Sequence, residues 1–120
     1  MSRNASVYLE DILEAVEKIK AYTRGQSLTT LLEDPLRADA LVFNLLVIGE
    51  AAGYVPKDLR SNYPEVPWRQ IVGLRNVIAH QYFQIDLEIV WDIVESELEM
   101  LEQTVRVMLS DLREIGRAHV

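Results

Sequence analysis

Apolar residues recur at steps of three and four along most of the chain, which is the spacing of amphipathic helices. The first such segment covers about residues 5–24 and ends near Gly25, a residue suited to stop a helix. Ser27 can cap a short turn over residues 28–33. The pattern therefore predicts that the chain begins with a long helix followed by a short one.

A second long helix has a well-defined start, because Asp34 can cap it and Pro35 fits its first position. We expect it to run to about Gly53. Its apolar stripe consists of Leu36, Ala40, Phe43, Leu46 and Val47. Residues 57–67 then form a connector, because the prolines in and beside it prevent a continuous helix.

Two more helices are predicted in the second half of the chain. The third begins at Pro67, and its apolar side consists of Trp68, Ile71, Leu74 and Ile78. Asp86 can cap the fourth, whose apolar positions alternate steps of four and three as far as Ile115, as in bundles and coiled coils. About thirty residues with a rise of ~1.5 Å each give a continuous rod of roughly 45 Å. A helix this long suggests contact with a second copy of the chain.

Composition and length favour one all-α domain over residues 1–120, with 116–120 as a frayed tail. The chain is 49% hydrophobic and has few glycines and prolines, which argues against a turn-rich β protein. The N-terminal segment is too acidic for a signal peptide, and the longest apolar run is too short to span a bilayer. We therefore expect a soluble, cytoplasmic protein.

Charge and metal-ligand content exclude several classes of function. A formal net charge of −7 disfavours a protein that coats nucleic acid, so any RNA chemistry must depend on a small positive site. The chain has no cysteine and only two histidines, without a His-Glu-x-x-His pattern. A dedicated transition-metal site is therefore not expected.

The segment from Arg75 to Tyr82 carries the candidate chemistry. On a helix, Asn76 and His80 lie one turn apart and within about 40° of each other, so Asn76 can hold one imidazole nitrogen. Arg75 and Tyr82 are offset by about 20°. The segment covers a broad arc of the helix, which suits a cleft at a two-fold interface better than a single flat ligand.

Arg75 and His80 together form a minimal set for metal-free cleavage of a phosphodiester. Histidine, with an unperturbed pKa of ~6.5, can accept a ribose 2′ proton near neutral pH. Arginine presents a fork of donors to phosphate oxygens and can stabilise a more negative phosphorus centre. The alternative is a structural histidine that caps a helix C-terminus or joins a salt bridge, because Arg-x4-His also occurs by chance.

The same segment resembles the Arg-x4-6-His motif of HEPN domains, in the Arg-x4-His-x-Tyr form of HepT-like toxins. The resemblance extends over nearly the whole chain. Ile48-Gly49-Glu50-Ala51-Ala52 is similar to part of that family's second helix, residues 63–68 to the connector before the motif, and residues 86–94 to the start of the final helix.

This resemblance implies a HEPN-type helical bundle, with four main helices and a short one, that forms a homodimer with both motifs facing one cleft. It implies a metal-independent endoribonuclease toxin that acts on RNA and needs no cofactor for cleavage, with Arg75 and His80 as the catalytic pair. Asn76 matches the polar residue that follows the arginine in the family. Tyr82 matches the tyrosine that a partner nucleotidyltransferase antitoxin, using Mg-ATP, modifies with AMP.

Glu50 is a candidate supporting residue, because it points along the apolar side of the second long helix. A carboxylate there is costly unless it is paired. Arg75 or His80 is the partner that would place Glu50 in the site. The indole of Trp68, the side chain of Arg69 and a free helix N-terminus are the alternatives.

The remaining conspicuous residues have simpler interpretations. Base stacking is conceivable for Phe43, Tyr54, Trp68 and Trp91, but their spacing favours packing in the core or an interface. The acidic run of Glu95, Glu97, Glu99 and Glu102 is interpreted as a solvated helix side, or else as a docking surface for a basic partner. A non-catalytic HEPN module that binds a nucleotide or a partner, and a purely structural helical dimer, are the alternatives to the nuclease.

Overall fold

The computed structural model describes residues 4–80 and 86–118 and, within them, the side chains of all residues except Val77, Ala79, His80 and 116–118. This part of the chain contains helices and no strand. The helices are α1 (Ala5–Thr23), α2 (Leu28–Leu32), α3 (Pro35–Tyr54), α4 (Lys57–Ser61), α5 (Trp68–His80), α6 (Leu87–Ser96) and α7 (Leu98–Ala118). The predicted all-α class is confirmed.

Local capping chemistry sets the ends of the first three helices. Gly25 follows α1 with a φ of 72°, in the left-handed region that a residue with a side chain rarely adopts. The Ser27 side chain accepts a hydrogen bond from the backbone of Thr30 and so caps α2. Asp34 caps α3 by accepting from the backbone N–H of Arg37 at 3.1 Å. All three of these predicted signals are confirmed.

Helix α3 is the centre of the bundle. Helices α1 and α5 both pack against it, and α7 packs along α1. The largest fully buried side chains are Leu9, Ile12, Val16, Ile19, Leu31, Leu41, Leu45, Ile48, Val55, Val105 and Met108. The core thus lies mainly among α1, α3 and α7, and α5, which carries Arg75, contributes its predicted apolar residues Trp68, Ile71, Leu74 and Ile78 to it.

The predicted apolar stripe of α3 lies only partly in the core, because its last two residues pack against the core and the others do not. Leu36 and Phe43 are 85% and 61% exposed, whereas Leu41, Leu45 and Ile48 are buried. Because α3 is apolar on nearly all sides, its periodicity does not single out the side that faces the core. The consequence is an exposed apolar line on the outer side of the helix.

The predicted single rod after Asp86 is also wrong. The helix is interrupted at Glu97, where φ is −114°, and a second helix begins at Leu98. The break lets α6 pack on α2 while α7 runs along α1. Neither glycine nor proline marks the break, and the apolar spacing continues across it. Helix α7 extends to Ala118, beyond the predicted start of the tail at Gly116.

Glu102 is buried and pairs with the partly exposed Lys20, so its predicted place on a solvated helix side is wrong. Lys20 donates to Glu102 at 2.5 Å and to Glu99 at 2.8 Å. These hydrogen bonds, led by the one to Glu102, raise the pKa of Lys20, and the bond from Lys20 lowers the pKa of Glu99. The cluster ties α1 to α7, because both carboxylates belong to α7.

The connector before α5 is fixed by two side-chain hydrogen bonds. The Tyr63 hydroxyl donates to the Asp111 carboxylate at 2.5 Å, which raises the pKa of Tyr63 to about 12. The Trp68 indole donates to the Tyr63 carbonyl at 2.9 Å. Together they connect the start of α5 to α7 through Tyr63. No helix in the described residues is both long and apolar enough to cross a membrane.

Candidate active site

A glycine sets the distance between α3 and α5 at the site. A Cβ atom on Gly49 would lie 3.0 Å from the Ile71 carbonyl oxygen, 3.1 Å from the Arg75 amide nitrogen and 3.3 Å from the Leu74 Cβ. Two of these three atoms belong to the α5 backbone, which cannot rotate away as a side chain can. The absence of a side chain at Gly49 therefore brings Arg75 close to the next residue of α3, Glu50.

We expect Gly49→Ala to lower the free energy of unfolding by about 1–2 kcal/mol, because overpacking costs more than the gain in helix propensity. Gly73→Ala is the matched control on α5, since a Cβ there meets nothing within 4 Å. That variant should raise the free energy of unfolding by ~0.5–1 kcal/mol. Urea denaturation measures both, and stabilisation by both substitutions would contradict the close approach.

Glu50 and Arg75 form an ion pair across this contact. The Arg75 Nε lies 3.0 Å from Glu50 Oε2, and the two side chains are 62% and 41% exposed. Arg75 was one of two expected partners of Glu50. The Trp68 indole, an alternative partner, donates instead to the Tyr63 carbonyl. Because a guanidinium has five N–H donors, one carboxylate does not exhaust its capacity to bind a phosphate.

The other predicted site residues lie on or just beyond the same helix. Asn76 follows Arg75 on α5 and is exposed. His80 is the last residue of α5, one turn after Asn76, and its side chain lies outside the described residues. Tyr82, the predicted AMP acceptor, also lies outside them. The described residues therefore bring Arg75, Asn76 and Glu50 together.

Two hollows meet at the Glu50–Arg75 pair. One, of about 290 Å³, is lined by Gly49, Glu50, Gly53, Tyr54, Val72, Arg75 and Asn76. The other, of about 440 Å³, shares Glu50, Tyr54 and Arg75 and is completed by residues of α1 and α3. The guanidinium therefore borders open space on two sides.

The sequence interpretation missed two residues of the larger hollow, Tyr8 and Asp11 on α1. They lie far from the motif in sequence and are brought to the site only by the packing of α1 on α3. No local sequence pattern could therefore have identified them. Among the described residues, no three histidine, cysteine, aspartate or glutamate side chains are grouped as metal ligands would be. The described site therefore consists of one cation, two carboxylates, one amide and two aromatic rings, together with apolar side chains.

Comparison with known proteins decides the family. The model of the "Ribonuclease HepT-like" family matches residues 12–108, which include Glu50, Arg75 and His80. The chain belongs to the HepT-like ribonuclease family. This confirms the resemblance stated from the motif and the segments around it.

Several relatives of this HepT-like protein match over nearly their whole length. It is 35% identical over 102 residues to "Probable ribonuclease HepT" of Thermococcus cleftensis, covering 85% of this chain and 93% of that one. It is 32% identical over 106 residues to "Putative RNase MJ1380" of Methanocaldococcus jannaschii, covering 88% and 97%. "Putative RNase TTE0752" of Caldanaerobacter subterraneus is 35% identical over 102 residues, covering 85% and 91%. No solved structure gives a significant match.

If Glu50 orients Arg75 in this HepT-like ribonuclease, Glu50→Gln should lower kcat/KM for RNA about tenfold, because a misplaced group loses much of its catalytic effect. The free energy of unfolding should change by less than ~1 kcal/mol, since the pair is exposed. Glu17→Gln is the matched control, because it removes a similarly exposed pair with Arg106 at 3.3 Å. Equal cleavage by the two variants would remove Glu50 from the site.

Proposed function

We propose that this HepT-like protein is a metal-independent endoribonuclease toxin. The observation that carries the proposal is the open position of Arg75, held by Glu50 at 3.0 Å and five residues before His80 on one helix. A fixed guanidinium and a near-neutral proton acceptor are what RNA cleavage without a metal requires. A module that only binds RNA or a partner does not need the proton acceptor.

In the proposed reaction the ribose 2′ oxygen attacks the adjacent phosphorus, and His80 accepts its proton. Arg75 stabilises the additional negative charge on the phosphoryl oxygens as the bond forms. The bond to the 5′ oxygen breaks, and that oxygen takes up a proton from a solvent water as it leaves. The products are a 2′,3′-cyclic phosphate and a 5′ hydroxyl. Asn76, one turn before His80, can hold the imidazole in the required tautomer.

We propose that two copies associate so that both motifs face one cleft. The support is the exposed apolar line on α3, where Leu36 and Phe43 lie on the outer side of the helix that also carries Glu50. A monomer rarely leaves such side chains uncovered together. Sedimentation should give twice the chain mass of 13.8 kDa, and a monomer mass at micromolar concentration would contradict the shared cleft.

The partner that we propose is a nucleotidyltransferase antitoxin that uses Mg-ATP to transfer AMP to Tyr82. Tyr82 lies two residues after His80 and seven after Arg75 in the sequence. A phosphate attached to Tyr82 would compete with RNA for the Arg75 guanidinium and would repel the RNA backbone. We place the pair in the cytoplasm. Mass spectrometry after co-expression with an active partner should find AMP on Tyr82, and an unmodified Tyr82 would count against the pairing.

A second candidate function is a non-catalytic module that binds a nucleotide or the partner enzyme. The formal charge of −7 favours it, because overall repulsion weakens the attraction of RNA. Expression of the chain without a partner separates the two functions. The nuclease proposal predicts that the wild type arrests growth and that the double variant Arg75→Ala/His80→Ala does not. Growth arrest by both, or by neither, at equal protein level would favour the binding module.

A further inference from the structure

The larger of the two hollows at the Glu50–Arg75 pair has the composition of a base-binding pocket. Its walls are the apolar side chains Leu46, Val47 and Ala51 and the rings Tyr8 and Tyr54, and its polar groups belong to Asp11, Glu50 and Arg75. Its volume of about 440 Å³ lies within the ~300–1,000 Å³ range of small-molecule sites. One cation, two carboxylates and aromatic rings around an apolar floor suit a flat polar ring better than an aliphatic chain.

The two tyrosines of this hollow form a stacked pair. The ring centroids of Tyr8 and Tyr54 lie 5.1 Å apart, and the ring planes are inclined by 17°. Tyr54 is the outer ring and is 58% exposed. Tyr8 is only partly exposed, so it supports Tyr54 from the α1 side. An exposed ring held in a fixed plane is a ready platform for a base, because its rotational freedom is already restricted.

We propose that this hollow is a nucleobase subsite, in which a base of single-stranded RNA stacks on Tyr54 while Arg75 holds the phosphate attached to the same nucleotide. Tyr54 and Arg75 line both hollows, so base and phosphate can be bound at once. The subsite rests on the proposed ribonuclease function, which supplies the RNA. It assigns to Tyr54 the base-stacking role that helix spacing alone did not favour.

The carboxylates at the hollow indicate which bases fit. Asp11 and Glu50 offer acceptors, and a carboxylate accepts several hydrogen bonds at once. Adenine, guanine and cytosine carry an exocyclic amino group that donates, whereas uracil carries none. The subsite should therefore prefer an amino-bearing base to uracil.

Binding of nucleoside 5′-monophosphates tests the subsite without any cleavage. The probes are AMP, GMP, CMP and UMP, with ribose 5-phosphate as the ligand that lacks a base. Titration followed by NMR or calorimetry gives a Kd for each. The base should tighten binding about five- to hundredfold over ribose 5-phosphate, as expected for one stacking contact, with UMP the weakest of the four nucleotides.

Three variants connect the effect to the ring. Tyr54→Ala should reduce the affinity for AMP to that for ribose 5-phosphate, and Tyr54→Phe, which keeps the ring, should restore most of the difference. Ile89→Ala is the matched control, because Ile89 is 56% exposed and lines neither hollow. Equal binding of AMP and ribose 5-phosphate by the wild type, or an unchanged ratio in Tyr54→Ala, would overturn the subsite.

Sedimentation and cleavage of the same proteins separate the subsite from its alternatives. An unchanged mass for Tyr54→Ala supports the subsite, whereas a change from dimer to monomer would make the ring a subunit contact and overturn it. If the wild type cleaves RNA but binds AMP no more tightly than ribose 5-phosphate, the subsite is refuted and the ribonuclease proposal stands. If the wild type leaves RNA intact while the base still tightens binding through Tyr54, the ribonuclease proposal fails and the pocket remains.

Discussion

His80→Ala is expected to lower the rate of RNA cleavage about 10²–10⁴-fold, which is the usual contribution of one positioned proton-transfer group. The mechanism requires the neutral imidazole to take the 2′ proton. The rate of the wild type should therefore rise with pH through the range near 6.5 in which histidine titrates. The variant should lose this rise, and added imidazole should restore part of its activity.

The control for this prediction is His119→Ala, which removes the other histidine of the chain. It should cleave like the wild type. Both variants replace one histidine by alanine, so a difference in their cleavage rates must come from the position of the histidine. Equal activity of His80→Ala and the wild type, with an unaltered pH profile, would leave His80 a structural role such as capping the end of α5.

Arg75→Ala should lower kcat about 10²–10³-fold, since the guanidinium is the one described cation positioned to stabilise charge that develops on the phosphoryl oxygens. Arg75→Lys should recover only part of the loss, because an ammonium keeps the charge but lacks the planar fork. The free energy of unfolding should change by less than ~1 kcal/mol, because the pair with Glu50 is exposed.

Arg106→Ala is a suitable control for Arg75→Ala, because Arg106 is another exposed arginine in an ion pair, on α7 and away from both hollows. It should retain full activity. Cleavage and RNA binding are both measured at low salt. If the two arginine variants lose cleavage and RNA binding to the same extent, general electrostatic attraction would explain the effect. A specific role of Arg75 requires a fall in kcat that saturating RNA does not reverse.

The sequence predicted the features that depend on local chemistry. The caps at Ser27 and Asp34 and the stop at Gly25 need only neighbouring backbone groups, and all appear where expected. Glu50 needs a partner because an unpaired carboxylate beside apolar residues is costly. The sequence favours Arg75 or His80 and leaves the Trp68 indole, Arg69 and a free helix N-terminus as alternatives. The pairing of Glu50 with Arg75 agrees with that reasoning.

Features that depend on long-range packing could not be predicted. Helix α3 is apolar around most of its circumference, so the exposure of Leu36 and Phe43 follows from where α1 and α5 pack. The interruption at Glu97 allows α6 to pack on α2 and α7 to pack on α1, and no glycine or proline marks it. Tyr8 meets Tyr54 across 46 positions of sequence, and periodicity within a helix contains no information about such a pair.

In the proposed reaction this chain cleaves RNA through attack by the ribose 2′ oxygen, without a metal ion. End-group analysis of single-stranded RNA, incubated with the purified wild type in excess EDTA, tests it most directly. Fragments with 2′,3′-cyclic phosphate and 5′ hydroxyl ends are expected, and they should be absent with His80→Ala. Fragments with 3′ hydroxyl and 5′ phosphate ends, or RNA left intact until a divalent metal is added, would contradict it.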